Sequence, residues 1–274
     1  MAQVVDRLLR RLVLFPPVLK FGQRMAAHID PVTFYSIVPE WTLEKLTPEL
    51  ATLLNIEKSP RGFAAAAGLW FNPPIGVRYG DRSVSVTDVS ERIVEVPYVT
   101  GTVLRDLKAG ARILDFGASE STVSLSLASM GYRVTALDSR GYPFEHPNLT
   151  VIRTLVEDWD GPQEPFDRIV AISAIEHVGV GYYDSAETTR VDDRRLVELF
   201  GDWLAPGGSL VMTVPYGQWA VDDLQRTYDD AHLDALLAGW AVTRRSIFSR
   251  GSRTVWESGS DGSPAVAILE AVRA

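Results

Sequence analysis

Two short stretches of this 274-residue sequence hold residues whose types and spacing could do chemistry. In the first, the apolar pair Ile113-Leu114 runs into Asp115-Phe116-Gly117-Ala118-Ser119-Glu120-Ser121. A glycine after a strand lets backbone approach a ligand closely, and the first amides of a following helix have no intrahelical partner. Asp138 closes the next strand-like run 21 residues beyond Gly117 (138 − 117). At that spacing an acidic side chain can accept from both hydroxyls of a ribose. Asp115, Gly117 and Asp138 thus outline a nucleoside site. A dinucleotide loop would need G-x-G-x-x-G, of which only Gly117 is present, and the bland reading is that the two aspartates merely solvate strand ends.

The second stretch is Ser173-Ala174-Ile175-Glu176-His177-Val178-Gly179. His177 is the first choice for a general base, because imidazole titrates near neutrality. Glu176 is the second choice, or it orients His177 or a substrate. A scaffold role for the pair stands beside both. The other histidines lie outside any metal-ligand motif, His146 in a predicted loop and His28 and His232 on predicted helices. Asp192-Asp193 could join His177 around a cation, but an acidic pair also suits the start of a helix. The expectation is that no metal is bound. Trp70, Phe71, Tyr182 and Tyr183 are the candidates to line a substrate pocket, with Asn72 and Tyr79 near them. Aromatics with a few polar groups suit a sugar, a polyketide or another small natural product. Trp70 and Phe71 are equally suited to fixing an N-terminal cap to a core.

Composition narrows the classes. Lys and Arg number 27 against 35 Asp and Glu, a net charge of −8, with no dense basic stripe. A nucleic-acid partner is therefore not expected. The absence of cysteine excludes disulfides, thiolate metal sites and cysteine nucleophiles, and fits a cytoplasmic protein. Leu12 to Leu19 is broken by Pro16 and Pro17, too short to span a bilayer and laid out unlike a signal peptide. Val5, Leu8, Leu9, Leu12 and Val13 share a helical face opposite Arg7, Arg10 and Arg11. That helix is expected to pack on its own domain or on a second subunit, the route to a homo-oligomer, with a membrane surface as the alternative.

The elements that must hold these residues change character near Gly110. Before it lie a proline-punctuated helical stretch, a hairpin over Val77 to Val86 turning at Gly80-Asp81, and a helix from about Glu91 to Leu107. Ser90 is its expected cap, and Pro97 marks a kink or restart. After it, strands are predicted at Ala111–Phe116, Tyr132–Leu137, Leu149–Leu155, Arg168–Ser173 and Ser209–Val214. Helices at Ser121–Met130 and Arg194–Leu204 separate them. A helix at Asp230–Leu237 and two strands, near Val242–Phe248 and Ala265–Leu269, finish the chain. The pattern predicts a doubly wound, mostly parallel α/β sheet with an antiparallel C-terminal edge. The expected division is residues 1–90 as an N-terminal cap and 91–274 as the α/β domain.

At these residues the chain resembles a known family. ILDFGASES and GYRVTALDSR look like the first two motifs of the class I S-adenosylmethionine (SAM) dependent methyltransferases, close to the type 11 group. FDRIVAISAIEHVG and LAPGGSLVMTVPYG look like their fourth and fifth strands, and YDDAHLDALLAGW precedes the last strands as it does there. The resemblance covers about residues 92 to 272. It implies SAM as cofactor. Gly117, Ala118 and Ser119 would face its methionine part, Asp138 would hold the ribose, and Val156 and Glu157 would lie beside adenine, with Asp115, Ser139 and Ser173 also among the cofactor-binding residues. Ser119 and Ser121 stand where the family has further glycines, and Leu155 stands where many members have an adenine-binding aspartate. SVTDVSERIVEVPYV, GASES and EHVGVGYYD are similar to bacterial methyltransferases linked to sugars or surface polysaccharides. The implied activity is methyl transfer to a small-molecule hydroxyl. Its rivals are an enzyme using SAM for cyclisation or elimination, and a non-catalytic binding protein with a degenerate loop.

Overall fold

Short strands in this computed structural model are set between helices along most of the described chain, which comprises residues 51–52, 55–56, 71–80, 84–180, 191–259 and 264–274. Trp70, Tyr182, Tyr183, His28 and the N-terminal amphipathic stretch lie outside the described residues. A hairpin comes first, β1 (Ile75–Tyr79) antiparallel to β2 (Val84–Val89), with a register irregularity between Gly76 and Val77. Helix α1 (Arg92–Asp106) follows and carries Pro97 in its interior. Ser90 does not cap it through its side chain. Its hydroxyl donates to the Pro73 carbonyl (3.1 Å), while its own carbonyl accepts from the Ile93 amide.

The main unit then runs β3 (Arg112–Phe116), α2 (Val123–Ser129), β4 (Arg133–Leu137), β5 (Leu149–Ile152), β6 (Phe166–Ile172), α3 (Asp193–Trp203) and β7 (Leu204–Tyr216). A small ribbon of β8 (Ala220–Val221) and β9 (Arg226–Thr227) precedes α4 (Asp230–Leu236), and β10 (Trp240–Ser252), β11 (Val255–Ser258) and β12 (Ala265–Arg273) close the chain. The eight strands of the large sheet lie in the order β11-β10-β12-β7-β6-β3-β4-β5. From β5 to β7 neighbours are parallel, and β12, β10 and β11 add antiparallel pairs. This is the doubly wound sheet with an antiparallel edge that the sequence predicts.

The central strands read as continuous apolar runs because both faces are covered. Successive side chains point to opposite faces, so Leu114, Ile169 and Met212 pack with Leu196 and Phe200 of α3 and Leu233 of α4. Their chain neighbours Ile113, Val170 and Val211 pack with Val99 and Val103 of α1 and Leu127 of α2. Asp192 caps α3 by accepting from the Arg195 amide (2.8 Å), the helix-starting role open to the acidic pair.

Two boundaries differ from expectation. β5 stops at Ile152, three residues short of Leu155, and the chain then turns into a 3-10 segment at Val156–Asp158. β7 and β10 each run 13 residues, longer than their apolar patterns. β7 starts early through the parallel pairing of Leu204 with Phe166 of β6 and runs on to Tyr216 beside β12, while β10 pairs with β12 up to Ser249 and with β11 beyond it.

Candidate functional site

The strand order reverses between β3 and β6, and a crevice beyond the carboxyl ends of strands is expected there. Gly117 follows β3 at φ +73, and a Cβ built on it would sit 2.4 Å from Cβ of Ala174. The loops after β3 and β6 are thus in direct contact, which only a residue without a side chain permits. Beside that contact opens a cavity of about 440 Å³. Gly117, Asp138, Ser139, Val156, Ser173, Glu176 and His177 all line it. Seven of the residues singled out from sequence are therefore brought together on one wall system.

At one end, Asp138 accepts from the Ser119 amide at Oδ2 (3.0 Å) and from the Arg140 amide at Oδ1 (2.8 Å). A carboxylate has about four acceptor directions, so these bonds orient it and leave capacity for a ligand. Leu155 and Val156 give the apolar wall nearby, while Glu157 is not among the lining residues. Asp115 lies beneath the loop, 2% exposed, and Ser124 Oγ donates to it (2.6 Å), tying α2 to β3. Burial, with Asp138 adding to it, pushes the Asp115 carboxyl up to about 6 against the opposing Ser124 bond. Ala118 is buried against Ala136 and Tyr142. Ser119 contributes its amide to Asp138, and its Oγ is buried with no hydrogen-bond partner among the described residues.

At the other end, Ser173 follows β6 with φ +41, a conformation a serine rarely adopts and one that surrounding bonds must hold. Its amide reaches Thr213 Oγ1 (2.9 Å) and its hydroxyl donates to Glu95 Oε1 (2.7 Å). Glu95, fully buried, also accepts from Thr213 Oγ1 (2.7 Å) and from Arg92 Nη1 (2.7 Å). Sequence reasoning missed Glu95 and Arg92. The available signal was Glu95 at i of an i, i+4, i+8 stripe with Val99 and Val103, a charge on the buried face of a helix.

Glu176 is 1% exposed, and its Oε2 has no hydrogen-bond partner among the described residues. Burial first, then the charges of Glu95 and Glu91, push its carboxyl up to about 8 despite Arg92. His177 Nδ1 lies 2.7 Å from the Leu224 carbonyl. A carbonyl only accepts, so Nδ1 carries the proton and Nε2 of the neutral ring is the basic nitrogen. Nε2 is 3.9 Å from Glu176 Oε1, and burial lowers the His177 pKa. Below this turn, Arg226 Nη1 donates to the Val178 carbonyl (2.5 Å) and Tyr228 donates to Asp193 (2.7 Å), so Asp193 is engaged in packing the turn against α3.

Arg250 and Trp256 line the cavity from the C-terminal edge, and sequence reasoning missed both. Trp256 Nε1 donates to the Val89 carbonyl (2.8 Å) and Arg250 pairs with Asp88, linking β10 and β11 to the first hairpin. Nothing local in the sequence signals these contacts across more than 160 positions. Phe71 stacks on Phe144 (5.3 Å, 10° between rings) and does not line the cavity, whereas Asn72 does. Among the described residues, no group of three His, Asp or Glu is placed to hold a metal ion, and no helix is long and apolar enough to cross a membrane.

A family model described as Caenorhabditis protein of unknown function, DUF268, matches residues 148–259. No curated protein matches the sequence. Among solved structures, the glycopeptide N-methyltransferase MtfA complexed with SAM is similar at 14% identity and a TM-score of 0.44, over 66% of this chain and 94% of that one. The N-methyltransferase NodS from Bradyrhizobium japonicum WM9, in complex with S-adenosyl-L-homocysteine (SAH), gives 15% and 0.44 over 67% and 87%. The magnesium protoporphyrin IX methyltransferase from Synechocystis PCC 6803 with bound SAM gives 14% and 0.43 over 67% and 80%. The large sheet of this chain is doubly wound and mostly parallel, with its switch between β3 and β6 and an antiparallel edge.

Proposed function

We propose that the protein is a SAM-dependent methyltransferase acting on a hydroxyl of a small molecule such as a sugar or natural product. The observation that carries this reading is the meeting, in one cavity, of the Gly117 close approach, Asp138 and Val156 with the Glu176–His177 turn. The residues fit the cofactor. Gly117 leaves bare backbone where a Cβ would collide, Asp138 presents oriented acceptors to a ribose, and Leu155 and Val156 offer an apolar face to a base. Bound SAM supplies an electrophilic methyl group.

The chain's own groups do the rest. His177 Nε2 would take the proton of the acceptor hydroxyl, a role worth about 10²–10⁴-fold in rate. The Leu224 carbonyl keeps the ring in the tautomer that makes Nε2 basic. Its lowered pKa keeps the ring neutral at pH 7. Glu95, Thr213 and Arg92 hold Ser173 and so the floor of the site. Arg250, Trp256 and Asn72 also line the cavity and are the candidates to meet an acceptor.

Calorimetric titration with SAM and SAH tests the reading, with Asp138→Ala and Asp138→Asn beside the wild type. Binding that Asp138→Ala loses and Asp138→Asn weakens is expected. Folded wild-type protein that binds neither nucleoside would sink the proposal and return the chain to the class of binding proteins with a degenerate loop. His177→Gln is expected to keep nucleoside affinity while losing methyl transfer once an acceptor is found.

A further inference from the structure

The mechanism leaves one group without a task. Glu176 lines the cavity, and its Oε2, buried in the wall, has no hydrogen-bond partner among the described residues, although a carboxylate so placed is costly unless something answers it. The groups facing Glu176 are mostly acidic. From α1 come Glu91 and Glu95 with only Arg92 to offset them, and Arg92 is already bonded to Glu95. His177 Nε2 stands 3.9 Å from Oε1. Arg226 of β9 is spent on the Val178 carbonyl and on Asp193, and Tyr228 donates to Asp193. Arg250 and Arg140, the further cations on the cavity wall, are paired, the first with Asp88 and the second with Glu120 and Asp138. The wall around Glu176 therefore carries excess negative charge, and a ligand with positive charge would complete it.

We propose that Glu176, supported by Glu91, is a receptor for the positive sulfonium of the cofactor, so that the site retains SAM and releases SAH. The inference rests on the methyltransferase reading and deepens it. SAM and SAH share the adenosine and amino-acid parts and differ by the methyl group and the charge at sulfur. When the methyl leaves, the bonding pair stays on sulfur, the charge is gone, and the wall loses its partner. The raised pKa of Glu176 supports the geometry. In the empty site the carboxyl is neutral at pH 7, and a cation draws it into the charged form with release of a proton.

The test is calorimetry of SAM and of SAH from pH 6 to 9, repeated in buffers of different ionisation enthalpy to count protons. SAM binding is expected to release up to about one proton at pH 7 and to tighten by up to about tenfold per pH unit below pH 8, with SAH free of both effects. Glu176→Gln should bring the SAM-to-SAH affinity ratio close to one by weakening SAM while leaving SAH affinity in place. Glu91→Gln, on a less buried residue, should lower the ratio by a smaller factor. Equal affinities of SAM and SAH across the pH range, or a ratio unchanged in both variants, would overturn the inference while leaving the cofactor site intact. A wall made for a cationic acceptor instead would give that result. Failure of wild-type protein to bind either nucleoside would overturn both readings.

Discussion

Replacing Gly117 by alanine isolates the contact that shapes the site. Two penalties act together. The backbone at φ +73 lies in the left-handed region, where a residue with a Cβ costs roughly 1–2 kcal/mol more than glycine. The new Cβ would also stand 2.4 Å from Cβ of Ala174, more than 1 Å inside the ordinary carbon–carbon contact of about 3.5–4.0 Å. Relieving such an overlap in packed surroundings costs about 1–3 kcal/mol. The sum, about 2–5 kcal/mol, should appear in urea unfolding as a lower midpoint with unchanged slope. Because the loops after β3 and β6 must part, nucleoside affinity should fall as well. Ala174→Gly in the same chain removes the facing methyl group and should recover the steric share, leaving the backbone share and a few tenths of a kcal/mol to about 1 kcal/mol for the added glycine. The reasoning is refuted if Gly117→Ala unfolds at the wild-type midpoint, or if the double variant is no more stable than Gly117→Ala alone.

Three further outcomes are expected. Glu176 is held neutral in the fold up to about 8 but ionises near 4.5 in the unfolded chain. Its contribution to stability is thus complete below pH 4.5 and is lost as pH rises towards 8, by up to about 1.4 kcal/mol per pH unit, so unfolding of Glu176→Gln measured over that range should show a flatter profile. Asp192→Ala removes the side-chain cap of α3 and should destabilise by about 1 kcal/mol in the same assay, a change below a few tenths showing that the bond to the Arg195 amide contributes nothing. Burial puts the His177 pKa below 6.5, so the acid limb of a methyl-transfer rate profile should lie under pH 6.5 and vanish in His177→Gln. An acid limb at or above pH 7 would remove His177 as the base.

What the sequence by itself determined was whatever depends on local pattern. Apolar runs that follow Gly110 and Gly131 located β3 and β4 to within a residue or two, because strands buried on both faces need continuous hydrophobicity. Gly117 and Asp138 were legible because strand, turn and helix fix their spacing, and His177 because few side chains titrate near neutrality. Tertiary structure decided which polar groups line the cavity and which serve the scaffold. Asp115 and Asp138 are alike in sequence, each ending a strand, yet the first is turned under the loop to Ser124 and the second into the cavity. Arg92 and Glu95 became visible only when α1 packed on β6 and β7 and brought Glu95 to Ser173 and Thr213, 78 and 118 positions away. Trp256 and Arg250 reached the site through pairing at the sheet edge. Such contacts carry no periodicity, since they depend on the path of the chain between elements. The charge on the wall around Glu176 is likewise a sum over three elements, which no single stretch of sequence encodes.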